Sequence, residues 1–461
     1  MDSAVAAIAE WMPQQRWYGG KGRAPLLRRI GAFELPAPVE PDARALTLLL
    51  MDDASEPPIL YQVPVVERTV TTGDEAAAHL IAHLDDDTLL FDGPHDPCYT
   101  DALLAMIVGE LEATPDGVEA SGHVSGPTTA LPAVPRGTPA TVLGGEQSNT
   151  SIIYRPHGVT PIICKVYRQL HHGENPDVTL QTALAASGSA HVPASIGDVI
   201  GEWDDVGRPN GRARGHLAFA QEFLPGVEDA WKVALRAAQD GVDFAARAEA
   251  LGQATANVHR TLAEVMATRE PSLGDTVAAV STWHQRLAIA IHEVPQIAEH
   301  RAAIEAVYDT AQQSPWPRLQ RIHGDYHLGQ VLAVPGRGWV LLDFEGEPLR
   351  PMHERDQLDS PLRDVAGMLR SFDYVAGSTA LTRPGTSAAG WASDARRAFL
   401  DGYIAASGHD LRAHRALLDA FEIDKAVYEA VYEARNRPDW LPIPLAAVAR
   451  LASRGMADTS A

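Results

Sequence analysis

The sequence predicts an α+β protein in two lobes, a strand-rich N-terminal part followed by a mainly helical C-terminal part. Three observations predict this. Short β-type runs such as Ala45–Leu50, Ile59–Val63 and Ile162–Val166 alternate with turn residues as far as Pro225-Gly226. Beyond Gly226, apolar residues recur at helical spacing among good helix formers, as in Leu251, Ala254, Val258 and Leu262. The chain has 461 residues, more than one ordinary core accommodates, so two or three packed units are expected. The expected divisions are residues 1–92, 93–224 and 225–461.

Taken in order, the chain opens on a short amphipathic helix and the polar turn Gly19-Gly20-Lys21-Gly22-Arg23, then strands, which together read as a small α+β unit over residues 1–92. A helix is predicted over Tyr99–Ala113. The Pro/Gly/Thr-rich stretch Ser125–Pro139 reads as a loop or linker. Val142-Leu143, the tip Gly144–Thr150 and Ser151–Tyr154 form a hairpin, backed by the strand Pro161–Tyr167 that carries Lys165. A helix follows Asn175-Pro176-Asp177, and His216–Phe223 is a further strand. Two interruptions break the helical part, at Arg321–Leu332 and Trp339–Pro348, and both are dense in polar functional side chains.

The net charge of −22 is spread along the chain and repels phosphate backbones and anionic lipid, so nucleic acid and membrane are not expected as partners. A nucleotide cleft is governed by its own lysine, helix ends and metal, so this charge does not exclude ATP. Cys98 and Cys164 match no zinc-ligand spacing and read as two buried thiols. The N-terminus lacks a basic start with an apolar core, and no run of about 18 apolar residues occurs. A cytoplasmic location is expected.

The segment His323-Gly324-Asp325-Tyr326-His327-Leu328-Gly329-Gln330 sets an Asp on a tight loop with a Gln five residues later, and the apolar run Val340–Leu342 then delivers Asp343. Phosphoryl transfer needs these types: a carboxylate to take the hydroxyl proton, an amide oxygen and a second carboxylate for magnesium, and a cradle for the phosphates. Asp325 fits the base, and Gln330 and Asp343 fit the metal ligands. Lys165 on its strand fits the α/β-phosphate clamp, with Ser148, Asn149 and Thr150 as donors at the hairpin tip. Glu174 or Asp177 would pair with Lys165. Gln221 and Phe223 end the last strand before the helical part, where backbone groups would meet an adenine edge. A lone HGD is common in ordinary turns. The specific signal is the whole order of hairpin, strand lysine, HxDxxxxQ and DFE. Gly19–Arg23 lacks Walker spacing and reads as a turn of the N-terminal unit.

That order resembles the aminoglycoside-phosphotransferase and choline-kinase branch of the protein-kinase-like fold over residues 140 to about 375. Gln15–Arg23, His323–Gln330, Arg363–Phe372 and Tyr428–Pro438 are similar to the actinobacterial maltokinase family, over nearly the whole chain. The resemblance implies a bilobal kinase with an N-terminal cap, an intermediate subdomain completing the N-lobe and a helical C-lobe. It implies phosphorylation of maltose at its anomeric hydroxyl with ATP and Mg2+, giving maltose 1-phosphate for α-glucan and glycogen synthesis. A trehalose synthase is the family's usual pathway partner.

On the acceptor side, Lys425, Tyr428, Tyr432 and Arg435 are spaced to share one helix face. That stripe is either a sugar surface, with aromatic faces covering a pyranose, or a packing face with snorkelling cations. The resemblance favours the sugar surface. His327 is a further candidate near the phosphates and Glu345 near metal or sugar, while His323 orients the loop and Arg363-Asp364 supports it. Rival readings are a kinase for glucosamine or another monosaccharide, an antibiotic phosphotransferase, and an inactive nucleotide-binding regulator.

Overall fold

A computed structural model describes residues 2–36, 42–69, 78–125, 136–145, 148–347, 350 and 352–458. Glu146 and Gln147 of the predicted hairpin tip, and residues 126–135 of the predicted linker, lie outside the described residues. The chain divides into two compact units, Met1–Ala186 with Pro193–Pro225, and Ser187–Val192 with Gly226–Ala461.

The first unit begins with α1 (Asp2–Trp11), β1 (Leu27–Glu34), β2 (Ala43–Asp52), β3 (Ile59–Thr69), β4 (Leu80–His83) and β5 (Thr88–Asp92). Then come α2 (Pro97–Val108), β6 (Thr114–Asp116), β7 (Val118–Val124), β8 (Ala140–Val142), β9 (Asn149–Tyr154), β10 (Ile162–Tyr167), β11 (Gln169–Leu170), α3 (Pro176–Ala186), β12 (Ser195–Asp204) and β13 (Arg212–Glu222). Among the described residues they make two sheets, ordered β4-β5-β3-β2-β1-β6, with β11 on β3, and β7-β12-β13-β10-β9-β8.

β2 and β3 read as nearly continuous apolar runs because the first sheet is covered on both faces. On one face Leu50, Tyr61 and Val63 pack with Ile8, Met12 and Trp17. On the other, Leu49 and Val66 join a core that runs through Leu103 and Ile107 of α2 to Ile152, Cys164 and Phe219 of the second sheet. Helix α2 starts where the Asp96 side chain accepts from Cys98 N at 2.8 Å, with Pro97 in the first turn. It stops at Val108, short of the predicted Ala113. Glu110 takes a left-handed φ of 49°, and the residues after it are drawn into the sheet as β6. Along β10 the side chains alternate, so Cys164 and Val166 enter the core while Lys165 emerges on the opposite face. Cys98 and Cys164 are free, buried thiols, and burial pushes Cys164 up to about 12.

The second unit is helical: α4 (Ala230–Asp240), α5 (Ala245–Val265), α6 (Leu273–Glu293), α7 (Arg301–Gln313), α8 (Met352–Arg355), α9 (Leu362–Thr382), α10 (Ala389–Ser407), α11 (Arg415–Asn436) and α12 (Pro442–Asp458). A small sheet of β14 (Glu228–Asp229), β15 (Val331–Val334) and β16 (Gly338–Leu341) is set among them. Helix α6 begins at a reciprocal cap in which Ser272 and Asp275 satisfy each other's backbone amides. Among the described residues no helix is long and apolar enough to cross a membrane.

Candidate active site

In the second unit, the loop His323–Gln330 is held from three sides. Asp364, in the first turn of α9 and wholly buried, accepts from His323 N at 2.8 Å and Gly324 N at 2.9 Å. It also meets His259 Nε2 of α5 at 3.0 Å. Burial works to raise the Asp364 carboxyl, and these donors hold it below its ordinary value. His323 bridges Leu342 O at 2.8 Å and Asp325 N at 3.4 Å, so the end of the β15–β16 hairpin and the loop share one imidazole. Tyr326 OH meets Thr255 Oγ1 at 2.8 Å, and α9 passes so close that a Cβ on Gly367 would lie 2.6 Å from Tyr326 O. The expected supporting roles of His323 and Asp364 are the geometry observed.

Asp325 projects from this loop and receives Lys425 Nζ of α11 on Oδ1 at 3.1 Å. The same ammonium donates to Glu347 Oε1 at 2.8 Å. Burial works against the Lys425 charge, yet Glu347 and Asp325 raise its pKa far above its ordinary value. Burial likewise works to raise Glu347, and the cations Lys425, Arg363 and Arg350 hold it well below the usual carboxylate range. Asp343, just after β16, takes a left-handed φ of 63°, a conformation unusual for any residue but glycine, asparagine and aspartate. Gln330 Nε2 donates to Asp343 Oδ2 at 2.9 Å, which leaves the amide oxygen beside a carboxylate. Such an all-oxygen donor set fits magnesium. Glu345 lies two residues on, its carbonyl accepting from Arg355 Nη1 at 3.5 Å.

Next to Asp325 a pocket of about 530 Å³ is lined by His327, Lys425, Tyr428, Tyr432, Tyr374, Trp231, Trp440, Glu429, Glu433 and Arg437. His327 Nδ1 accepts from Gly329 N at 3.0 Å, and burial, aided by Lys425 and His323, lowers its basicity against Asp325 and Asp343. The two glutamates are each clasped by an arginine. Arg370 reaches Glu429 Oε2 through Nε at 2.9 Å and Nη2 at 2.7 Å. Arg437 grips Glu433 at 2.9 and 2.6 Å, and Tyr374 OH adds a bond to it at 3.1 Å. Arg435 departs from the expected stripe: it pairs with Glu293 at 2.7 Å on the exposed side. The helical repeat of 3.6 residues sets position 435 at the edge of that stripe, about 20° beyond Tyr428, where Glu293 at the end of α6 holds its guanidinium. Once α11 ends at Asn436, the turn returns Arg437 to the pocket, stacked over Trp440 at 4.6 Å. Glu345 is not among the described lining residues.

In the first unit, Lys165 Nζ pairs with Asp177 Oδ2 at 2.8 Å, and Gln181 Nε2 donates to Asp177 Oδ1 at 2.5 Å. Asp177 is wholly buried and Glu174 exposed, which decides between the two candidates. Ser148 is exposed and Asn149 half-buried, but Thr150 turns inward and accepts from Arg168 Nε at 2.8 Å. The Thr150 hydroxyl is thereby committed to the unit's interior rather than to the surface. The backbone donors expected near Gln221 and Phe223 are also taken: Phe223 N bonds Pro161 O at 2.8 Å and Glu222 N bonds Ala194 O at 2.9 Å. Gln221 instead contributes a buried side-chain oxygen with no hydrogen-bond partner among the described residues.

A strand lysine held by a buried acid, and an HxD loop followed by a hairpin ending in aspartate, are the parts of a kinase-like phosphotransferase. Residues 142–418 match the phosphotransferase enzyme family, and the chain belongs to it. Residues 11–96 match the maltokinase N-terminal cap domain, the combination expected of a maltokinase in the aminoglycoside-phosphotransferase superfamily. Two relatives are glucosamine kinases. That of Streptacidiphilus jiangxiensis is 28% identical over 334 residues, 65% of this chain and 70% of its own. That of Mycolicibacterium smegmatis is 27% identical over 325 residues, 67% of this chain and 79% of its own. In fold, the chain is similar to a glucosamine kinase crystal structure with a TM-score of 0.69 and 21% identity, covering 97% of this chain and 99% of that one. The structure of a glucosamine kinase with glucosamine, ADP and inorganic phosphate superposes with a TM-score of 0.67 and 21% identity, over 90% of this chain and 94% of that one. The protein is a phosphotransferase with a kinase-like fold and a maltokinase-type N-terminal cap domain.

Proposed function

We propose that the protein transfers the γ-phosphoryl group of ATP to the anomeric hydroxyl of maltose, giving maltose 1-phosphate. The observation that carries this reading is the aromatic pocket opening on Asp325. Its volume of about 530 Å³ lies within the range of small-molecule sites, and its rings offer faces for pyranose stacking. Its carboxylates are compensated: Glu429 by Arg370, Glu433 by Arg437 and Asp325 by Lys425. Such a pocket suits a neutral disaccharide better than a cationic amino sugar, and the maltokinase-type cap supports the same choice.

In this mechanism the anomeric hydroxyl gives its proton to Asp325 as its oxygen attacks the γ-phosphorus, the bond to the β-phosphate oxygen breaks, and ADP leaves. Lys425, bonded to Asp325 Oδ1, fixes the orientation of the base, and positioning supplies most of the acceleration. Lys165, held by Asp177, would contact the α- and β-phosphates, with Ser148 and Asn149 nearby in the chain. The orphaned Gln221 oxygen is an acceptor that an exocyclic adenine amine would satisfy. Gln330 and Asp343 would hold magnesium, which supplies neutralisation of phosphate charge. A three-part division at 1–92, 93–224 and 225–461, a cytoplasmic location, a trehalose synthase partner and a place before α-glucan synthesis complete the proposal.

The second reading, a glucosamine kinase, is favoured by the names of the relatives. ADP release from MgATP, measured separately with maltose, glucose, glucosamine and trehalose, separates the two. Turnover is expected with maltose, and Asp325→Asn is expected to lower kcat by about 10²- to 10⁴-fold without loss of folding. Turnover with glucosamine alone overturns the substrate and keeps the mechanism.

A further inference from the structure

A second pocket of about 580 Å³ lies within the helical unit, between α9, α10 and α12. Its walls are largely small and apolar, with Ala376, Ala380, Ala389, Ile443 and Ala447 among them, while Arg396, Arg450 and Asp373 also line it. The charges are unevenly matched. Three guanidiniums converge on one oxygen, Asp373 Oδ2: Arg370 Nη1 at 2.7 Å, Arg396 Nη1 at 3.2 Å and Arg450 Nη2 in close contact. Arg370 has Glu429 as a second partner, and Arg396 holds both oxygens of Glu422 at 2.8 and 3.0 Å. Arg450 has a share of Asp373 and, at 4.0 Å, of Glu422, and its side chain is 33% exposed. An under-compensated guanidinium in an apolar pocket is suited to a planar carboxylate on an apolar body.

We propose that this pocket binds a small apolar carboxylate through Arg450, and that its occupancy is felt in the acceptor pocket through Arg370. Arg370 is fully buried and spans the two sites, with Nη1 on Asp373 of the second pocket and Nη2 on Glu429 of the first. A carboxylate that draws Arg450 away frees part of Asp373 Oδ2 for Arg370. Arg370 then moves toward Asp373, and Glu429 beside the acceptor loses compensation. The coupling is reciprocal, so acceptor also alters affinity for the carboxylate.

The test uses octanoate as probe, with 1-octanol as the neutral counterpart and inorganic phosphate as an anion without an apolar body. Calorimetry on the full chain is expected to show one saturable octanoate site, weakened at least tenfold in Arg450→Gln and in Ala446→Phe, which fills the pocket from α12. Thermal melts confirm that each variant folds. Saturating octanoate is expected to change the acceptor KM of the wild type at least about fivefold and to leave that of Arg450→Gln unchanged. Absence of saturable binding, equal binding of octanol or phosphate, or binding that survives both substitutions overturns the site. Binding with an unchanged KM overturns the coupling. The kinetic arm uses whichever sugar is turned over and the calorimetric arm uses none, so an error in the maltose assignment shows itself separately.

Discussion

Lys425 joins two carboxylates of different kinds, the candidate base Asp325 and the buried Glu347, which is 3% exposed. The pair with Glu347 makes acid stability readable at one residue. A carboxyl depressed in the folded state contributes stability that is complete above its unfolded pKa of about 4.3 and is lost as pH falls through the folded value. Glu347→Gln is therefore expected to cost about 1–3 kcal/mol at pH 7. Its deficit relative to the wild type should shrink as pH drops below about 4, as followed by urea titrations across pH. Asp325, Gln330, Asp343 and Lys165 were legible because each stands in a short local pattern whose order carries the chemistry. Glu347, Arg370 and Arg437 were not legible, since their meaning arises from partners brought together by folding. Lys425 and Asp325, for instance, are 100 positions apart.

At the level of elements, α9 acts as the tether of the catalytic loop. Replacing Asp364 by alanine strands the amides of His323 and Gly324 and the ring of His259 in the interior. It should cost about 3–5 kcal/mol, measured by urea unfolding. In the first unit, β13 places His216 Nδ1 as acceptor of Asn175 N at 3.0 Å, next to the start of α3. Burial, then Arg214 and His123, lower this imidazole to about 4. A group so depressed stabilises the fold above the unfolded value of about 6.5, and that stability is lost between about 6.5 and 4 as the unfolded chain takes up its proton first. Melting temperatures at pH 7.5 and 5 should therefore fall less in His216→Gln than in the wild type. Strand and helix types were readable from periodicity. The predicted α2 ran past Gly109, which caps the helix, to Leu111 and Ala113 beyond it, where a left-handed Glu110 and pairing into the sheet override helix propensity.

For the molecule as a whole, the change in periodicity near Gly226 marks the main division, because a shift from period two to a helical repeat reflects a shift in how each unit buries its apolar surface. The return of residues 187–192 to the helical unit was not legible, since His191 contacts Trp339 O at 3.1 Å and Leu341 N bonds His191 O at 2.8 Å, far along the chain. The two cysteines divide unequally between the units: both are in the first, both are buried, and the helical unit has none. Alkylating reagents attack thiolate, and at pH 8 neither sulfur is offered while that core stays closed. The rate of iodoacetamide incorporation, read by mass spectrometry, thus reports how often the strand-rich unit opens. If nucleotide binds there, adding ATP should slow that incorporation, while events confined to the helices leave no mark on it.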